Sequence, residues 1–310
     1  MSRALIGIDR SGSFRVYLTA TTDIVNEAMK IHRTSPTASA ALGRVLTGAG
    51  LMSIQLKEPD DRLTVIFKGD GPAGSITACG YGDGRIKGYI ANPSADLPQR
   101  GDGKLDVGGL VGRGELSVVR DAGLKEPYSG TVSLVSGEIA EDLTAYYYIS
   151  EQRSTSIALG VKVARDMTAR AAGGMFIQMM PGAEERCIDE LEALLKNADP
   201  ITTTVEKAVL RAGVRGDDAV LEEMKEDIFG GLPEEYSVTT AEMRDIKLEC
   251  DCSRERTERA LIALGEKTLT QLIEEDGGAE LSCRFCNAVY RFDRDELCSL
   301  RAEAGKKGRK

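Results

Sequence analysis

The chain has 310 residues, 42% of them hydrophobic and 29% charged, with a net charge of -9. That length supports two or three domains around at least one sizeable core. The acidic balance argues against nucleic acid as the main partner, since phosphate binding needs basic surface, and no stretch approaches the ~18 continuous apolar residues of a membrane span.

Residues 4–8 and 14–18 read as the two strands of a hairpin, joined by the turn-rich run Asp9-Arg10-Ser11-Gly12-Ser13. The first ten residues lack the long apolar core of a signal peptide, so a cytoplasmic protein is expected. Thr22 or Asp23 can cap a helix running to about His32. His32 is the one histidine, which excludes a His-rich metal site and leaves any Ser-His-Asp arrangement that residue alone. At a helix end it reads as an ordinary, mildly favoured cation. Residues 36–56 form a second helical stretch, rich in Ala, Leu and Gly and suited to close packing.

A glycine-rich, strand-forming region follows. Residues 63–67, 75–80, 85–90, 115–120 and 131–136 read as strands between turn clusters such as Gly69-Asp70-Gly71-Pro72. Residues 138–150 read as a helix, and 156–163 and 171–180 as strands. Met175, Met179 and Met180, with Phe176 and Ile177, fit a core or sheet-edge role. Residues 1–180 are therefore expected to form one α+β domain with a largely antiparallel sheet.

The composition changes at Pro181. Short acidic helices are expected within residues 183–229, the second of them over residues 205–212, with thin apolar faces built from Cys187, Ile188, Leu191, Leu194 and Leu195, then Val220, Leu221, Met224 and Ile228. Such helices depend on packing against something else. Residues 181–231 are expected to be a metastable helical linker docked on the first domain. Residues 232–294 read as a small domain, with helices near 254–264 and 267–275 and a hairpin of 280–282 with 288–292. It has too few large apolar groups for much core. Residues 295–310 read as a helix end and a basic tail.

That small domain carries Cys250-Asp251-Cys252 and, thirty residues on, Cys283-Arg284-Phe285-Cys286. A C-x-C and a C-x-x-C suit one tetrahedral four-cysteine Zn²⁺ site. Four thiolates on Zn²⁺ carry a net negative charge, which Arg254, Arg256, Arg284 and Arg291 stand near enough in sequence to offset. A structural zinc in a small domain contributes roughly 10–16 kcal/mol of folding free energy. The same spacings allow disulfides, so the site reads either as a purely structural zinc knuckle or as a redox switch. Cys79 and Cys187 read as small apolar residues in a strand and a helix face, and Cys298 is not expected to be a ligand. No P-loop or dinucleotide-binding motif occurs, and Asp70, Asp83, Asp102 and Asp106 read as turn residues rather than a carboxylate pair.

At these residues the chain resembles the heat-shock protein 33 family of bacterial redox-regulated chaperones. The likeness rests on the two cysteine motifs and on stretches of the first domain. These are Gly69-Asp70-Gly71-Pro72, Asn92-Pro93, the run from Ser136 to Leu143 leading into Tyr146-Tyr147-Tyr148, Ser150-Glu151-Gln152, Ala172-Gly173-Gly174, Gln178 and Pro181-Gly182-Ala183. Cys298 and the basic tail are not family features. The resemblance implies an ATP-independent holdase rather than an enzyme, inactive when reduced and bound to one Zn²⁺. It implies that oxidation pairs Cys250 with Cys252 and Cys283 with Cys286, expelling the metal and unfolding the C-terminal part and the linker. Unfolding client proteins would be the partners, with a homodimer on activation. Two other classes compete: a constitutive zinc-ribbon adaptor for nucleic acid or a transcription partner, and a thiol oxidoreductase using Cys283 and Cys286. The acidic charge counts against the first, and the lack of a thioredoxin-like β-α-β context against the second.

Overall fold

The structure, a computed structural model, describes residues 2–123 and 126–307. It divides into two compact units, Met1–Glu249 and Cys250–Lys310.

In the first unit, β1 (Ser2–Asp9) and β2 (Phe14–Ala20) form the expected hairpin. The Asp9 carboxylate closes its turn by accepting the N–H groups of Ser11 at 3.0 Å and Phe14 at 2.7 Å. Two helices follow, α1 (Thr22–His32) and α2 (Pro36–Ser53). Then come β3 (Arg62–Gly69), β4 (Ser75–Tyr81), β5 (Arg85–Ile90), α3 (Val107–Val111), β6 (Gly114–Asp121) and β7 (Tyr128–Ser133). The series continues with α4 (Ala140–Ile149), β8 (Thr155–Val163) and β9 (Ala169–Met179). Three helices, α5 (Glu185–Lys196), α6 (Ile201–Ala212) and α7 (Asp217–Phe229), lead to β10 (Val238–Leu248).

One ten-stranded sheet results, in the order β7-β6-β3-β4-β5-β10-β1-β2-β9-β8. Its ladders are antiparallel except for the β10–β5 contact, which joins Lys247 to Arg85 and Leu248 to Ile86. The expected α+β class and largely antiparallel sheet are observed.

Helix α2 is the centre of the main core. Ser35 caps it by accepting the Ala38 N–H, and Pro36 opens it, as a helix start favours. Sixteen of its 18 residues are buried, the pattern of a helix enclosed on all sides. Its small residues make that possible: a Cβ on Gly43 would lie 2.8 Å from Val161, and one on Gly48 would lie 2.8 Å from Leu143. His32 ends α1, as expected, with Nε2 3.0 Å from the Gly88 carbonyl oxygen. The Met175, Phe176 and Ile177 side chains are buried core in β9, an interior strand, while Met179 and Met180 are half-buried.

The run from Ser136 to Leu143 has a structural role. The buried Asp142 carboxylate accepts N–H groups from Val135 at 2.7 Å, Ser136 at 3.0 Å, Gly137 at 3.3 Å and Ile139 at 3.0 Å. These bonds hold Ile139 at φ +71°, a left-handed conformation that costs a β-branched residue of order 1–3 kcal/mol. The helix begins at Ala140 rather than at residue 138 for that reason.

Helices α5, α6 and α7 contribute to a second core with residues of β1, β2 and β9. Cys187, Leu191, Val205, Ala208, Leu221, Met224 and Phe229 are all buried there with Leu5, Phe14, Val16, Leu18 and Ile177. Helix α5 keeps a thin face, burying only Cys187 and Leu191, while α6 buries Ile201, Val205, Ala208 and Ala212.

Three expectations are corrected. Strand β7 spans Tyr128–Ser133, not residues 131–136, because its register is fixed by pairing with β6. The helix expected from 205 begins at Ile201. Residues 232–249, expected with the small C-terminal domain, lie in the first unit. Strand β10 pairs with β1 from Ser2↔Ile246 to Asp9↔Val238, Ile246 is fully buried, and Arg244 Nη1 donates to the Ile54 carbonyl at 2.8 Å. Backbone pairing decides that placement, since most β10 side chains are at least partly exposed.

The second unit contains α8 (Arg254–Ala263), α9 (Gly265–Gln271), β11 (Gly278–Ser282), β12 (Val289–Asp293) and α10 (Arg294–Lys307). Ser253 caps α8 by accepting the Arg256 N–H. Its core is small: Leu261, Ile262, Leu269, Ile273, Phe292, Leu297, Leu300 and Ala304. The basic tail largely belongs to α10, and residues 308–310 lie outside the described residues.

Candidate metal centre

Two loops of the second unit bring the four cysteines together. Cys250 and Cys252 follow β10, and Cys283 and Cys286 sit in the connection between β11 and β12. The hairpin register runs from Gly278↔Asp293 to Ser282↔Val289, so the loop that holds Cys283 and Cys286 is closed at its base. Cys283 N–H donates to the Ala288 carbonyl at 2.9 Å and Asn287 N–H to the Cys283 carbonyl at 2.8 Å. Asn287 adopts φ +58°, a left-handed turn that Asn tolerates better than most residues.

The four Sγ atoms all lie within 4.8 Å of one another. Cys250 and Cys283 Sγ are 3.7 Å apart, and Cys252 and Cys286 Sγ are 3.4 Å apart. Four thiolates at the zinc–sulfur distance of about 2.3 Å in a tetrahedron lie about 3.8 Å from one another. Donor type, donor number and spacing therefore fit a Zn²⁺ ion, and all seven cysteines are free thiols.

The surroundings differ from sulfur to sulfur. Burial pushes the Cys250 and Cys286 thiols up. Burial also acts to raise Cys252, but the Tyr290 hydroxyl, which donates to its Sγ at 3.1 Å, and the neighbouring thiols outweigh it and hold Cys252 below the ordinary thiol range. Tyr290 escaped the sequence reading. The available signal was an aromatic residue four positions beyond Cys286 on the strand leaving the loop.

Of the four arginines expected to offset the site's charge, Arg254, Arg256 and Arg291 are paired with carboxylates. Arg256 is ion-paired with Asp251, Arg291 with Glu280, and Arg254 with Glu296 and Glu258. Arg254 also lies 4.4 Å from the centroid of the Phe292 ring. Cys79 and Cys187 lie in β4 and α5, as expected. Cys298 packs at the edge of the small core in α10 and is not among the four clustered sulfurs.

A broad sheet domain joined to a small unit bearing four clustered thiols is the plan of a thiol-bearing protein with a candidate metal site. The family model for the Hsp33 protein matches residues 3–293, and the chain belongs to that family of chaperones. It is 43% identical over 291 residues to a 33 kDa chaperonin of Clostridium botulinum (strain 657 / Type Ba4), covering 94% of each chain. It is 44% identical over 292 residues to the 33 kDa chaperonin of Clostridium acetobutylicum, again with 94% of each covered. The crystal structure of the 33 kDa chaperonin (HSP33) from Thermotoga maritima superposes with a TM-score of 0.84 at 34% identity, over 98% of this chain and 99% of that one. Among the described residues, no helix is long and apolar enough to cross a membrane.

Proposed function

We propose that this chain is a redox-regulated, ATP-independent holdase that is silent while its four cysteines are reduced and hold one Zn²⁺. The observation that carries the reading is the gathering of Cys250, Cys252, Cys283 and Cys286 within 4.8 Å from two loops, in a unit whose core is eight buried residues. Such a core stabilises a fold only marginally. When bound, Zn²⁺ would supply a four-way crosslink between the two loops and keep the thiols ionised.

The chain's own residues carry the switch. A peroxide oxygen is transferred to one cysteine sulfur, giving a sulfenic acid and releasing the elements of water. The neighbouring thiol then attacks that sulfur, an S–S bond forms and a second water leaves. Pairing Cys250 with Cys252 and Cys283 with Cys286 withdraws all four donors. The second unit then loses its staple.

Residues 181–231 act as the metastable linker in this reading, and α5–α7 would lift away from the apolar residues of β1, β2 and β9. The surface so exposed would hold unfolding client proteins, with a homodimer forming on activation. The expected boundary between linker and switch is replaced by a strand: β10 stands in the sheet between α7 and Cys250.

The test follows metal content, free thiols and suppression of client aggregation on one sample during oxidation by peroxide with mild heat. The three are expected to change together. Oxidised, metal-free protein that leaves a heat-denaturing client to aggregate would sink the proposal.

A further inference from the structure

We infer that Tyr290 is a positioning residue that sets how readily the switch is oxidised. Its hydroxyl donates a hydrogen bond to Cys252 Sγ at 3.1 Å. This rests on the redox reading above and adds a determinant of its threshold.

The placement is built into the fold. Tyr290 lies on β12 opposite Leu281 of β11, and its side chain packs against the small core of the second unit. That packing fixes the side chain, and the hydroxyl at its far end reaches the sulfur. One residue thus touches both the core and the thiol cluster. Its ring is the part the core requires, and its O–H is the part the sulfur requires.

The chemistry gives the sign. A hydrogen bond donated to sulfur withdraws electron density from the lone pair that must attack an oxidant, and it has to be broken or bent as the new bond forms. In the first step the Cys252 thiolate attacks a peroxide oxygen. An S–O bond forms, the O–O bond breaks, sulfur loses two electrons and hydroxide leaves. The Tyr290 hydroxyl stabilises the thiolate before this step more than the sulfenic acid after it, because the negative charge has moved to the leaving oxygen. The hydroxyl therefore slows oxidation and raises the amount of peroxide needed.

The substitution that isolates the O–H is Tyr290→Phe, which keeps the ring. Zinc-loaded full-length wild type and variant are treated with hydrogen peroxide, and metal release is followed with a chromophoric chelator. Sulfenic acid at Cys252 is trapped and measured by mass spectrometry. A parallel series omits peroxide and reports spontaneous metal exchange. Leu281→Ala, which weakens the same hairpin from the opposite strand, calibrates a purely structural effect.

The expected result is peroxide-driven release and Cys252 trapping roughly threefold to tenfold faster in Tyr290→Phe, the size of one lost hydrogen bond, with a smaller change in peroxide-free exchange. The inference is overturned if the peroxide-driven rate is unchanged or slower. It is equally overturned if both series accelerate by one common factor, as a loosened hairpin predicts for Leu281→Ala. Wild-type protein that keeps its metal and thiols under peroxide would instead defeat the redox reading itself, so the two failures are distinguishable.

Discussion

The sulfurs of Cys252 and Cys286 lie 3.4 Å apart although the two residues are 34 positions apart in the chain. Cys250 and Cys283, 33 positions apart, repeat the relationship at 3.7 Å. The short contacts thus run across the two loops. The disulfides proposed for the oxidised state run within them. Once the donors are lost, nothing holds the loops together, and chain entropy decides the pairing. Closing a loop of three residues rather than one of about 34 is favoured by about 2 kcal/mol. Peptide mapping of the fully oxidised protein is expected to find Cys250 bonded to Cys252 and Cys283 to Cys286. Crosswise bonds would mean that the loops stay docked during oxidation.

Metal removal without oxidation isolates the staple from the disulfides. A chelator applied under reducing conditions is expected to unfold the region from Cys250 onward, because among the described residues its buried apolar core is only eight side chains. Helical circular dichroism should fall by the share contributed by α8, α9 and α10. Amides in α2 should keep their exchange protection, since that helix sits in the separate core of the first unit. Full retention of the helical signal after metal removal would contradict the staple.

Cys187 offers a built-in reporter of the proposed linker. Its side chain is fully buried on α5 against the second core, and burial pushes its thiol up. In reduced, metal-bound protein it should resist alkylation while the protein stays folded. If α5 leaves the sheet on activation, Cys187 should become alkylated at the same time as holdase activity appears. Activity that arises with Cys187 still protected would confine the structural change to other segments.

The sequence announced some parts of this molecule and concealed others for physical reasons. The four cysteines were legible because few structures other than a metal site or a disulfide pair bring thiols to such spacings. Strands β1 to β5 were legible from alternation between turn residues. Strand β10 was not: Val238-Thr239-Thr240-Ala241-Glu242-Met243 is mostly polar or small and exposed, and the segment is held by backbone pairing to β1 that no side-chain pattern reveals. The Tyr290 contact depends on hairpin register and on the approach of two loops, neither of which spacing encodes. The arginines near the cysteines suggested charge compensation, yet proximity in sequence did not reveal the carboxylates that pair with Arg254, Arg256 and Arg291.

Thr240 ties β10 to α7. Its hydroxyl donates to Glu222 on α7 at 2.7 Å and accepts from Lys225 at 3.0 Å. Arg3 adds a second tie, pairing with Asp218 of α7 at 2.9 Å and with Asp245 of β10 at 3.4 Å. In the proposed activation, β10 is the segment that leads from the first unit to Cys250, so a disturbance passing along it would meet α7 at these contacts. Thr240→Val keeps the side-chain shape and removes the hydroxyl, at a cost of about 1 kcal/mol. The variant is expected to bind zinc normally and to expose Cys187 at a lower temperature or oxidant dose. Unaltered Cys187 exposure would assign the coupling to other contacts.

Acid should empty the metal site by protonating its donors. Burial raises the Cys250 and Cys286 thiols above the ordinary range while the fold persists, and an unfolded thiol, with a pKa of about 8.5, is also mostly neutral at pH 7. A metal ion binds thiolates, so loading the site must displace those protons. Proton release on binding means that apparent affinity rises with pH and falls as pH drops, by about tenfold per pH unit for each proton displaced. Cys252 works in the opposite direction: held below the ordinary range, it needs less of a pH rise to become a donor. Competition titrations against a chelator of known pH dependence, run between about pH 6 and 8, are expected to give a slope of at least one proton per metal. Calorimetry in buffers of different ionisation enthalpy should return the same proton count. A flat profile would mean that the thiols are already ionised without the metal, which the ordinary thiol pKa of about 8.5 opposes.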